Sequence, residues 1–109
     1  DTEQAKLIEP LEQVIDDLID EAKLRHVRRL QAGKCTLKLG FVLSDLLTTL
    51  SRVSDHCSNI AGSIIEISHN SLYVHDYLGK VKQGAEDFDA YYAMYEKKYD
   101  LNAIPDEQV

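Results

Sequence analysis

Proline and glycine are scarce in this sequence, two and five residues among 109. That scarcity, beside 44% hydrophobic and 28% charged residues, excludes a collagen-like, low-complexity or disordered chain. Two cysteines are too few for a disulfide scaffold. No apolar run reaches half of the roughly 18 residues a membrane helix needs, and no secretory signal opens the chain. Basic residues are outnumbered, 12 against 19 acids, and the net charge of −7 would repel phosphates, so general nucleic-acid binding is excluded too. The expectation left is one soluble, acidic, intracellular domain of 12.4 kDa.

The charge is unevenly spread. Residues 1–21 hold eight acids against Lys6 alone. Residues 22–44 hold no acid, but carry Lys23, Arg25, Arg28, Arg29, Lys34 and Lys38. Acids at a helix start and bases at its end suit the helix dipole. The same basic stretch could meet an anionic membrane surface or an acidic partner.

Residues 2–32 read as a first long helix, because Ile8, Leu11, Ile15, Ala22, His26 and Leu30 recur at helical steps. Pro10 should start this helix or kink it. Gly33 is the expected stop and Thr36 the expected cap of the next helix. That second helix, 36–70, carries the strongest pattern in the chain. Leu39, Leu43, Leu46, Leu50, Val53, Cys57, Ile60, Ile64 and Ile67 alternate steps of four and three. Such a seam predicts a buried face about 50 Å long, covered by the hairpin partner, a third helix or a second copy. Beyond Asn70 a short helix is possible within Leu72–Lys82, with Gly79 and Gly84 as punctuation. A C-terminal helix at 86–100 follows from Phe88, Tyr91, Tyr92, Tyr95 and Tyr99, a stripe that reads as a partly wet packing face. The residues after Asn102 read as a loose tail.

Catalysis is poorly served, and an enzyme is not expected. There is no phosphate loop, nucleophile elbow or paired-histidine metal motif. Asp55 and His56 are adjacent, so on a helix their side chains diverge by about 100°. His26, His69 and His75 stand alone. Cys35 and Cys57 are separated by about 33 Å of helix, too far to bridge.

Opposite the seam lies a polar stripe that includes Asp45, Ser51, Arg52, Asp55, Asn59 and Glu66. Asp55 and Asn59 stand one turn apart, as do Glu12 and Asp16 on the first helix. Two oxygen-bearing pairs on antiparallel helices could converge on a hard or borderline cation. A solvated face would look the same.

The run Arg52-Val53-Ser54-Asp55-His56-Cys57-Ser58-Asn59-Ile60-Ala61 resembles the Glu-Arg-x-x-Asp-His-x-x-Asn-Ile-Ala signature of PhoU domains. Its Cys-Ser variant is similar to the form in PhoU-like domains attached to bacterial sodium/phosphate cotransporters. Glu12-Gln13-Val14-Ile15-Asp16 resembles the family's second motif, Glu-x-x-x-Asp, and Gln31–Cys35 and Leu39–Asp45 fit the same branch. The resemblance spans about residues 5–70.

It implies a three-helix-bundle repeat, two of which build a six-helix domain, so this chain would be a fragment entering within a repeat's second helix. The fold expected is therefore all-α: a long antiparallel hairpin plus a shorter C-terminal helix, a partial PhoU-like bundle. The resemblance further implies a role in phosphate homeostasis, as the cytoplasmic tail of a cotransporter at the inner face of the membrane. Its partner would be the membrane transporter portion. A free-standing regulator acting through a histidine kinase or ABC transporter is the alternative, and a plain helical oligomerisation module another. Some relatives bind iron or zinc through the two motifs. The metal ligands carried over are Glu12, Asp16, Asp55 and Asn59, for Zn or Fe held weakly at most, because Ser51 stands where the family has a glutamate. A homodimer is expected to rebuild a bundle of four or more long helices.

Overall fold

Three helices account for nearly the whole chain: α1 (Thr2–Gln31), α2 (Leu37–Asn70) and α3 (Val74–Lys98), followed by a 3-10 turn at Leu101–Ala103. The computed structural model describes the backbone of residues 1–70 and 74–105 and the side chains of residues 1–68 and 86–105. The expected all-α hairpin with a C-terminal helix is what forms.

The hairpin turn follows from Gly33. Its φ of +70° is the left-handed conformation that L side chains resist. Lys34 N–H donates to the Arg29 carbonyl and Gly33 N–H to that of Leu30, a Schellman end that satisfies two last-turn carbonyls. Thr36 Oγ1 then accepts the Leu39 N–H at 3.2 Å and caps α2.

Pro10 neither starts α1 nor breaks it. The helix begins eight residues earlier, with Asp1 accepting the Glu3 N–H, and carries Pro10 fully buried in its interior. Gly79 and Gly84 do not interrupt α3 either, so the C-terminal helix starts twelve residues before the expected position 86. Local glycine cost, about 1 kcal/mol each, loses to continuation of a long helix. Leu72, at the start of the expected short helix, lies outside the described residues, as do the side chains of His69 and His75.

α1 is the central member of the layer. Among the described residues it packs against both α2 and α3, while α2 and α3 scarcely meet. The molecule measures 59 × 23 × 17 Å, with a radius of gyration of 17.8 Å. A compact domain of this length would have a radius nearer ~13 Å.

Of the three covers the seam allowed, the hairpin partner is not the main one. The face turned toward α1 is built from small residues around one leucine: Leu47, Ser54 and Ala61 are buried, and Gly40 lies against the His26 ring. Leu47 joins Ile19 and Ala22 in the core, with Ile15 and Leu43 packed beside it. Most of the heptad seam faces outward: Leu46 is 54% exposed, Val53 55% and Ile67 71%. Periodicity identified the stripe correctly, but among the described residues no element covers most of it. Small side chains let two helix backbones approach closely, which decides which face of α2 meets α1.

Between α1 and α2 this leaves an open apolar groove of about 500 Å³. Leu11, Ile15 and Leu18 form one wall and Leu50, Val53 and Cys57 the other, with Leu101 also in the lining. Glu12 and Ser54 are its polar members.

The last residues are not loose as far as Ile104. Arg25 is only 2% exposed and donates from Nη2 to the Leu101 carbonyl at 2.6 Å and from Nη1 to that of Ile104 at 2.8 Å. Residues 106–109 lie outside the described residues. The Tyr stripe is half-buried as expected, save Tyr99, which is exposed. Phe88 stacks on Tyr92 and Tyr95 on Tyr99.

Candidate functional site

The antiparallel register of the hairpin assembles the site. Gly40 lies against His26 at the turn, and the Ser58 hydroxyl donates to the Glu9 carboxylate 18 residues further along α2. The same register sets Asp55 level with Glu12 and Ser51 level with Asp16. Carboxylate oxygens of Glu12, Asp16 and Asp55 indeed lie within 4.8 Å of one another. Glu12 and Asp16 are half-buried and Asp55 is exposed. The structure thus brings together three of the four expected ligands, from two separate motifs. Asn59 is exposed one turn further along α2, and Ser51 is half-buried.

Crowding three carboxylates makes full ionisation costly. Glu12, on the groove's apolar edge, is pushed up from 4.5 to about 7. Partial burial contributes most, then its hydrogen bond with Asp16 and the charges of Asp16, Glu9 and Asp55. At neutral pH the group therefore retains a share of one proton. As a donor set, three carboxylates suit an oxygen-preferring cation, which would displace that proton. Ser51, level with Asp16, offers only a neutral hydroxyl where a fourth anionic ligand would complete the set.

The raised acid fixes the sign of a pH effect. Between pH 4.5 and 7 the folded chain binds more protons at Glu12 than the unfolded chain does. Stability from this group is fully present below about 4.5 and is lost as pH rises through 7. Glu12→Gln should remove that slope and, after allowance for solvent screening, raise stability at pH 8 by about 1 kcal/mol. Thermal unfolding of both proteins from pH 5 to 8 checks it; a wild type that loses no stability relative to Glu12→Gln as the pH rises would contradict the assignment.

Two neighbouring groups were not singled out from sequence. Tyr92 donates its hydroxyl proton to Asp17, tying α3 to α1, and that bond pushes the phenol up to about 12. Arg25, read as part of a basic run, is buried instead; its place three residues after Ala22, on the inner face of α1, was the available signal. Cys35 and Cys57 are both free thiols, with Cys35 Sγ 3.4 Å from His26 Nδ1. No helix among the described residues is long and apolar enough to cross a membrane.

No protein-family model, curated protein or solved structure matches this chain.

Proposed function

We propose that this chain is a PhoU-like regulatory domain of a sodium/phosphate cotransporter family protein, modulating phosphate uptake by docking on the membrane transport partner. The supporting observation is the meeting of Glu12 and Asp16 with Asp55 within 4.8 Å. These residues come from the two segments that resemble the PhoU motifs, and nothing in a plain helical hairpin requires them to converge. Transport itself needs membrane-spanning helices, so the role of these three helices is regulatory rather than conductive. The test is sodium-driven phosphate uptake by vesicles carrying a cotransporter's membrane portion, with and without this chain added on the cytoplasmic side. A rate change that saturates with added chain is expected. An unchanged rate, with no chain retained on the vesicles, would overturn the proposal.

The carboxylate cluster makes a narrower prediction. Wild type should bind Zn²⁺ or Fe²⁺ weakly, and Ser51→Glu at least tenfold more tightly, because it sets a fourth anionic ligand level with Asp16. Calorimetric titration of both proteins decides. Heat from neither would mean that the three acids form a solvated face.

A second reading, a helical oligomerisation module, is favoured by the outward-facing seam of α2.

A further inference from the structure

We infer that the groove and the outward seam form the interface of an antiparallel homodimer, in which α2 of each copy lies along the groove of the other. The inference is independent of any role in phosphate uptake.

Area is the first argument. Leu46, Leu50, Val53, Ile60, Ile64 and Ile67 are 37–71% exposed along one side of α2. A buried aliphatic side chain removes roughly 100 Å² from water, so these six and the α1 wall of the groove offer roughly 400–500 Å² of apolar surface. A stable dimer buries about 800 Å² per partner, of which a little over half is apolar. The apolar share is therefore present on this face, in one strip. Apolar patches of this size on a folded chain often mark an interaction site.

Direction follows from charge. α1 and α2 run antiparallel, so residues 22–44, with six bases and no acid, form one end of the hairpin. Residues 1–21, with eight acids, lie toward the other end beside the closing turns of α2. A parallel dimer would set basic end on basic end and acidic on acidic. An antiparallel dimer sets each basic end beside an acidic one. The free flank of the seam carries Val42, Thr49, His56 and Ser63, none of them a fixed charge, so nothing there opposes close approach.

Register follows from the heptads. Two antiparallel registers one heptad apart interlock eight of the nine seam positions; the one proposed sets Leu39 level with the partner's Ile64, Leu46 with the partner's Cys57, and Leu50 with the partner's Val53. The pairing is self-complementary and closes at two copies, with only Ile67 at each end left without a seam partner.

Sedimentation equilibrium from 1 to 100 µM tests the association. A species of twice the chain mass is expected, weakening with added salt. Val53→Glu, at a position 55% exposed in the single chain, should weaken association at least 100-fold while leaving the circular dichroism spectrum unchanged. A monomer at every concentration, or a dimer indifferent to Val53→Glu, would overturn the inference. Orientation is read by oxidation in a Cys35→Ser background. Leu46→Cys should cross-link to the partner's Cys57, giving a covalent dimer with the 46–57 bond identified by peptide mapping. Without Leu46→Cys, the two Cys57 residues stand about 16 Å apart along the axis and should not bridge. A Cys57–Cys57 bond formed readily by the otherwise native chain would place the helices parallel and overturn the arrangement.

Discussion

Arg25→Met is expected to lower the unfolding free energy by about 3 kcal/mol and to release residues 101–104 from α1. Hydrogen bonds from a charged donor contribute about 1.5–3 kcal/mol each, and Arg25 makes two to the carbonyls of Leu101 and Ile104. Methionine keeps the apolar stem but no donor. Replacing a buried ion by a hydrophobe can be neutral when its partners are replaced with it. Here the acceptors are backbone and stay. They are relieved only if water enters, and Leu101 and Ile104 are half-buried, so rehydration recovers part of the loss. Glu21 also loses its nearest cationic contact on α1, Arg25 Nε at 3.6 Å, and keeps the exposed Arg28 at 3.8 Å. Arg25→Lys should recover about half, since a single ammonium cannot span two carbonyls as the guanidinium fork does. Urea denaturation gives the free energy, and amide exchange at Ile104, whose N–H bonds the Leu101 carbonyl, reports the local release. Unchanged exchange in Arg25→Met would show that the turn holds itself.

The second large effect contrasts two leucines three residues apart. Leu47→Asp should cost about 4 kcal/mol or more, because Leu47 is 7% exposed in the cluster with Ile19 and Ala22. An unpaired carboxylate there adds its desolvation to the lost packing. Leu50→Asp is another matter. A buried seam would make that change severe, but Leu50 is 49% exposed in the single chain. It should leave the helical content intact and lower only the concentration-dependent part of the stability. Chemical denaturation at two protein concentrations separates the cases. Equal losses at low concentration would mean that the two faces of α2 are equally buried in one chain.

That contrast shows what periodicity could and could not convey. The seam established a long helix and the chemical character of one face, because a four-three spacing is a property of α2 alone. Which face meets α1 depends on how closely two backbones approach. The clue was the small stripe of Gly40, Ser54, Ser58 and Ala61, which carries little hydropathy and so made no pattern. Gly33 and Thr36 were legible because their roles are local: a left-handed residue and a side-chain cap need no distant partner. Gly79 and Gly84 misled for the same reason, their local preferences being outweighed by a helix that continues on both sides. The carboxylate pair on α1 was visible from spacing. Its meeting with Asp55 depended on the inter-helix register, which spacing left open and the family resemblance favoured. Arg25 was hidden by its type, since a charged residue in a basic run reads as solvated until its carbonyl partners, 76 and 79 residues away, come into view.

The separation between those partners also orders events in time. Gly33 and Thr36 turn the chain within five residues, so α1 and α2 can dock after closing only a short loop. The bonds from Arg25 to Leu101 and Ile104 must wait for a loop more than ten times longer. The hairpin is thus the natural nucleus, and the Arg25 clasp forms on the native side of the barrier. Weakening the turn should slow refolding, whereas weakening the clasp should chiefly hasten unfolding. Stopped-flow kinetics would then show Arg25 governing how long the folded chain lasts rather than how quickly it is made.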